Sequence, residues 1–137
     1  MEISIHHISI SVTDFEKSKD FYEKLGFKEK ITWKSPGESL IISHLMLNDI
    51  CLEIFKYENY QEMPQTAKEL TTDLPRIGVK HFGLKVDSIE EMNEFLVEKG
   101  IIAEKQQINT GNTGVRYFFI KDPDEMLLEI VEDKRNL

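Results

Sequence analysis

Cysteine is nearly absent: the single Cys51 among 137 residues cannot close an internal disulfide, so nothing in the composition speaks for an oxidising, secretory destination. Long apolar runs are missing too, and no stretch approaches the roughly 20 residues that span a bilayer. The opening Met-Glu-Ile-Ser-Ile-His-His has neither the basic stretch nor the apolar core of a signal peptide. Positive charge is in deficit, with 17 Lys and Arg against 25 Asp and Glu for a net charge of −8. Such a balance repels phosphate backbones and anionic lipid surfaces, and no basic stripe offsets it, which argues against nucleic-acid and membrane partners. The expectation is a cytoplasmic protein acting on a small molecule. What remains is 40% hydrophobic and 31% charged, an ordinary globular composition at the length of one domain, residues 1–137.

The chain is written twice. With His7 set over His81, an offset of 74 residues, HISISVTDFEKSKDFYEKLGF lies on HFGLKVDSIEEMNEFLVEKGI without a gap. Identities fall at His7/His81, Val12/Val86, Glu16/Glu90, Phe21/Phe95 and Gly26/Gly100, with apolar matches between them. After a shift of two residues, Cys51-Leu52-Glu53-Ile54 lies on Leu127-Leu128-Glu129-Ile130. Chance matches of apolar residues are common, but a His opening and a Glu closing both copies are not. The repeat predicts a first module over about 1–56, a linker over about 57–77 and a second module over about 78–132.

Each copy has the same plan. Alternation over 3–12 reads as a half-buried strand, and Asp14 caps a helix over about 15–25 that Gly26 ends. Strands follow near 27–34, 39–47 and 50–56. The second copy repeats this with a strand over 79–86, a helix over 89–99 stopped by Gly100, and strands near 101–107, 114–121 and 126–132. Ser35-Pro36-Gly37 and Asp122-Pro123-Asp124 mark turns, and a short helix fits around Thr66–Leu70 in the linker. The fold class is therefore α+β, two tandem βαβββ modules.

Strand parity separates the polar residues. Ile8, Ile10 and Val12 face the helix, which turns His7, Ser9 and Ser11 to the other side; His6 falls with the core set. Phe82, Leu84 and Val86 likewise turn His81, Gly83 and Lys85 away from their helix. Glu53 inside ICLEIF and Glu129 inside MLLEIV are carboxylates in apolar strands, costly unless their charge is compensated. One His and one Glu per copy give two imidazoles and two carboxylates, a set suited to Zn, Ni, Co, Mn or Fe rather than to Ca or Mg. Four protein donors on an octahedral ion leave two positions for water or a bidentate substrate.

These segments, with DPDEMLLEIVE at the end, resemble the vicinal oxygen chelate superfamily, which includes glyoxalase I, extradiol dioxygenases, fosfomycin-resistance thiol transferases and bleomycin-binding proteins. The resemblance covers almost the whole chain. It implies a cup-shaped mixed sheet with helices on its outer face, one divalent transition metal, and assembly as a homodimer. His7, Glu53, His81 and Glu129 each fall on a metal-ligand position of the glyoxalase I type. Extradiol dioxygenases typically use two His and one Glu, so Glu53 favours the glyoxalase side. The Arg that bacterial glyoxalase I carries four residues after its first His is Ser11 here, and the Asn four residues after its first Glu is Tyr57, which points away from a glutathione substrate. The family turn Asp-Pro-Asp-Gly-Asn reads Asp-Pro-Asp-Glu-Met.

The expected function is that of a glyoxalase I-like lyase or isomerase. It moves a proton next to a carbonyl on a small substrate with vicinal oxygens, with Glu129 or Glu53 as the base and the metal as Lewis acid. Ser11, Arg116 and Phe55 are the substrate-binding candidates, and Trp33, Phe118 and Phe119 candidate pocket aromatics. Two other functions compete. An extradiol-type Fe(II) dioxygenase would recruit His44 and Tyr117 for acid–base work, and a drug- or metabolite-binding resistance protein would bind without turnover.

Overall fold

Apolar side chains at every second position make both halves of this chain pair into sheets that bury one face under a helix. The computed structural model describes all residues, 1–137, and divides them into two compact units, Met1–Glu62 and Met63–Leu137. In the first unit β1 (His7–Ser11), α1 (Phe15–Lys24), β2 (Lys28–Lys34), β3 (Leu40–Leu47) and β4 (Ile50–Tyr57) form a βαβββ module. Its sheet runs β1-β4-β3-β2, with β1 parallel to β4 and the other neighbours antiparallel. The α1 helix starts where the extended Asp14 accepts a hydrogen bond from Lys17 N at 3.1 Å. It ends at Gly26, whose φ of 105° is costly for any residue with a Cβ. The core beneath it holds Phe15, Tyr22, Ile41, Leu45, Leu52 and Ile54.

The second unit repeats the design. It contains α2 (Leu70–Asp73), β5 (Phe82–Lys85), α3 (Ile89–Glu98), β6 (Asn109–Thr110), β7 (Arg116–Lys121) and β8 (Leu127–Glu132), with the sheet order β5-β8-β7-β6. Ser88 caps α3 by accepting from Glu91 N. The buried Glu132 carboxylate on β8 accepts from Ile89 N at 3.0 Å, which ties the helix start to the sheet. Even the strand ends correspond: Val12 N donates to Phe55 O and Val86 N to Val131 O, both at 2.8 Å. The α+β class and the tandem βαβββ modules are as the repeat predicts.

Three expectations change. The strand near 101–107 does not form; that segment is a chain of bends, and only Asn109–Thr110 pairs with β7. The side chain of Asn93 on α3 binds both the N–H and the C=O of Gln106, so an amide takes the place of a neighbouring strand. Residues 63–77, within the expected linker, belong to the second unit, and the short helix expected around Thr66–Leu70 is displaced by a few residues, a 3₁₀ turn, Gln65–Lys68, preceding α2. Asp73, almost fully buried, binds Arg76 at 2.8 Å, while Lys68 pairs with Glu125 and Lys121 with Glu69. Finally, β1 begins only at His7, so His6 precedes the strand and is exposed rather than part of the core.

Candidate metal centre

In the first unit the face of the sheet away from α1 carries His7, Ser9 and Ser11 from β1, Glu53 and Phe55 from β4, and His44 from β3. The register sets Ser9 beside Glu53, Ser11 beside Phe55, and His44 across from Glu53. His7 Nε2 lies 3.6 Å from Glu53 Oε1, Ser9 Oγ donates to the same oxygen at 3.3 Å, and His44 Nε2 lies 2.9 Å from Oε2. The His44 hydrogen bond is the main reason the Glu53 carboxyl is held below the usual carboxylate range; partial burial opposes it, and His7 and Ser9 reinforce it. Cys51 shares this face, but burial and then the Glu53 charge push its thiol up, which makes it a poor thiolate donor. Phe55 stacks on Tyr57 with centroids 6.4 Å apart, and Trp33 on β2 is about half exposed at 51%.

The second unit offers the matching pair with other neighbours. His81 Nε2 lies 3.2 Å from Glu129 Oε2. Gly83 stands where the first unit has Ser9, and Phe119 stands where it has His44, directly across from Glu129. The Phe119 ring meets His81 edge-on at 4.8 Å and so orients the imidazole, whose buried Nδ1 has no hydrogen-bond partner. Arg116 lies on the opposite face. It pairs with Glu132 in the β7–β8 register, binds Glu132 at 3.1 Å and also binds Glu90 of α3. Phe118 is likewise core, 1% exposed, on the helix side. Of the substrate-binding candidates, then, the sheet brings Ser11 and Phe55 to the Glu53 face and turns Arg116 away from the Glu129 face. Parity could have shown this, since Arg116, Phe118 and Ile120 alternate with Tyr117 and Phe119.

With metal–nitrogen and metal–oxygen bonds of about 2.0–2.2 Å, adjacent donors on a tetrahedral or octahedral ion lie roughly 2.8–3.6 Å apart. The His81–Glu129 separation of 3.2 Å falls inside this range and His7–Glu53 at 3.6 Å at its upper edge, and both are also compatible with direct His–carboxylate contacts. Imidazole and carboxylate also match the borderline divalent ions in chemistry. No group of three or more His, Cys, Asp or Glu side chains is arranged to hold an ion. Each module carries one His–Glu pair. His44 was the residue that sequence reasoning undervalued; the alternation of Ile41, Ser43 and Leu45 toward the helix is the signal that places it on the Glu53 face.

A repeated βαβββ module, each copy carrying one His–Glu pair on the sheet face away from its helix, defines an α+β protein of two tandem modules. The chain belongs to the Glyoxalase/Bleomycin resistance protein/Dioxygenase superfamily, whose sequence model matches residues 4–130. It is 36% identical over 132 residues to the uncharacterized protein YwkD of Bacillus subtilis (strain 168), covering 94% of this chain and 96% of that one. It is 28% identical over 123 residues to the trivalent organoarsenical cleaving enzyme of Bacillus sp. (strain MD1), covering 86% of this chain and 66% of the relative. The crystal structure of a glyoxalase family protein from Enterococcus faecalis superposes with a TM-score of 0.78 at 33% identity, over 94% of this chain and 97% of that one. No helix is long and apolar enough to cross a membrane.

Proposed function

We propose that the chain is a metal-dependent lyase or isomerase of the glyoxalase type, with His7, Glu53, His81 and Glu129 as the ligands of one divalent ion, Zn, Ni, Co, Mn or Fe. The observation that carries this reading is the repetition of a His–Glu pair, at 3.6 Å and 3.2 Å, on the same face of both modules. Two such pairs are one complete four-donor set. When bound, the ion supplies Lewis-acid polarisation of two neighbouring substrate oxygens.

The residues of the chain do the rest. His7 and His81 bind through Nε2, the nitrogen each already turns toward its carboxylate. Either Glu53 or Glu129 takes a proton from the carbon next to the substrate carbonyl, exchanges it with solvent and delivers a solvent-derived proton to the adjacent carbon, so the reaction is redox-neutral and needs no further reagent. Phe55 and Ser11, beside Glu53, contact the body of the substrate. The enzyme works as a homodimer on a small molecule.

The test is metal content and proton exchange together. The protein purified without chelators holds about one transition-metal ion per chain, and His7→Ala and Glu53→Ala lose it. Candidate α-oxo substrates turned over in deuterated water carry solvent deuterium in the product. Metal-free protein that cannot be reconstituted, or product without label, sinks the reading. His44 beside Glu53 favours a second reading, ring cleavage by an Fe(II) dioxygenase, which requires iron as the bound metal and oxygen uptake with catechols.

A further inference from the structure

The two carboxylates of the candidate site occupy repeat-related positions, yet their surroundings differ at two places. Glu53 faces Ser9 on β1 and His44 on β3; Glu129 faces Gly83 on β5 and Phe119 on β7. Ser9 and His44 carry side-chain hydrogen-bond groups, whereas Gly83 and Phe119 have none to offer. In the first unit both carboxylate oxygens are thereby engaged, Oε2 by His44 at 2.9 Å and Oε1 by Ser9 at 3.3 Å, with His7 3.6 Å from Oε1.

We propose that His44 is a positioning residue for Glu53: by holding Oε2 it fixes the carboxylate rotamer and leaves Oε1 as the only oxygen directed toward His7. The first module then presents a pinned, one-oxygen donor, and the second presents a carboxylate held at one oxygen by His81 and by no second side chain. The inference rests on the four-ligand reading above and extends it, because the two modules divide the work through residues outside the ligand set. The physical basis is ordinary. A ligand atom already oriented by a neighbour spends no rotamer freedom on binding, and groups that support ligands typically contribute 10–100-fold to metal affinity. His44 is on a strand interior opposite Glu53, so its ring needs no loop movement to keep this contact.

The test uses the full chain, stripped with a chelator and titrated with Zn²⁺ or Co²⁺ by calorimetry, alongside His44→Phe and His44→Gln. Phe copies the second module at this place, and Gln keeps one side-chain N–H donor; circular dichroism checks that both fold. The expected result is affinity lowered roughly 10–100-fold in His44→Phe and largely recovered in His44→Gln, with the Co²⁺ visible spectrum changed in the first and restored in the second. Equal affinity and equal spectra in wild type and His44→Phe overturn the proposal. So does His44→Gln as weak as His44→Phe, which makes the imidazole itself a ligand. Imidazole-nitrogen NMR of the metal-free chain gives a separate reading: a proton on His44 Nε2 that responds to Glu53→Gln supports the contact, and a neutral ring protonated on Nδ1 removes it. A wild-type chain that binds no ion refutes the four-ligand reading, while the NMR result still decides whether His44 holds Glu53.

Discussion

The side-chain amide of Asn93 closes a ring with the backbone of Gln106, donating from Nδ2 to O at 2.8 Å and accepting from Gln106 N at 2.9 Å. Two main-chain groups that a strand partner would have satisfied are satisfied instead by one residue of α3. Asn93 is 4% exposed, so water does not replace it readily. Asn93→Ala is expected to lower unfolding stability by about 1–3 kcal/mol, the cost of leaving buried polar groups without partners. Chemical denaturation measures the loss, and hydrogen exchange should show the Gln106 amide losing protection before the amides of β7. An unchanged Gln106 amide would mean the ring does not hold this segment.

Leu52 and Leu128 are repeat-related and equally enclosed, at 1% and 0% exposure. Each lies on a strand parallel to the first strand of its module and faces the helix side of the sheet. Leu52→Ala and Leu128→Ala should therefore each cost about 2–5 kcal/mol, transfer and cavity terms together. Equilibrium denaturation of both variants checks this. A cost under 1 kcal/mol at either site would show that its module collapses around the void.

Much of this architecture was legible before any coordinates. The offset repeat gave the module count, and the two glycines gave the helix ends, because φ of 105° at Gly26 and 70° at Gly100 excludes most side chains. Alternation turned His7, Ser9 and Ser11 away from the helix, and the β1–β4 register sets Glu53 on that same face. Where the structure departs from the expected strand, a tertiary contact decides. The segment 101–107 has the apolar start of a strand, but its neighbour is a side chain from the preceding helix. Within residues 63–77, Lys68 and Glu69 form ion pairs with Glu125 and Lys121. Arg116 sits beside Glu132 in the β7–β8 register, a neighbour that strand parity alone does not name.

Glu125 occupies the place where the family turn carries glycine, and it adopts a left-handed φ of 64°. The side chain of Asp122 accepts from Asp124 N and Met126 N, which holds the turn, and Lys68 pairs with Glu125 at 2.9 Å. Replacing Glu125 removes that pair whichever residue is introduced, so two variants compared with each other isolate the backbone. Glu125→Gly should be more stable than Glu125→Ala by up to about 1 kcal/mol, since left-handed geometry penalises a Cβ by roughly 1–2 kcal/mol and glycine's greater unfolded freedom returns part of it. Thermal melts of the pair decide the matter; an alanine variant equal to the glycine one would mean the turn relaxes out of the left-handed region.

Arg116 is expected to serve stability rather than substrate binding. Its guanidinium is engaged by Glu90 and Glu132 on the helix side of β7, and both carboxyls are held below the usual range. For Glu132 the leading cause is the Ile89 N–H, opposed by burial and followed by Arg116 and Lys134. A depressed folded-state pKa makes the ionised carboxylate a source of stability above the ordinary Glu value of about 4.3, and that contribution is lost as the pH falls through the depressed value. Glu132→Gln should therefore be less stable than wild type at neutral pH and lose less further stability between neutrality and strong acid. Arg116→Met should likewise be less stable than wild type at neutral pH and lose less further stability on acidification, because Glu132 and Glu90 are then less depressed, while KM for any identified substrate stays unchanged. Denaturation midpoints from neutrality down to strong acid, set beside steady-state kinetics of Arg116→Met, give both answers. A raised KM with an unaltered acid transition would place the guanidinium in the substrate site instead.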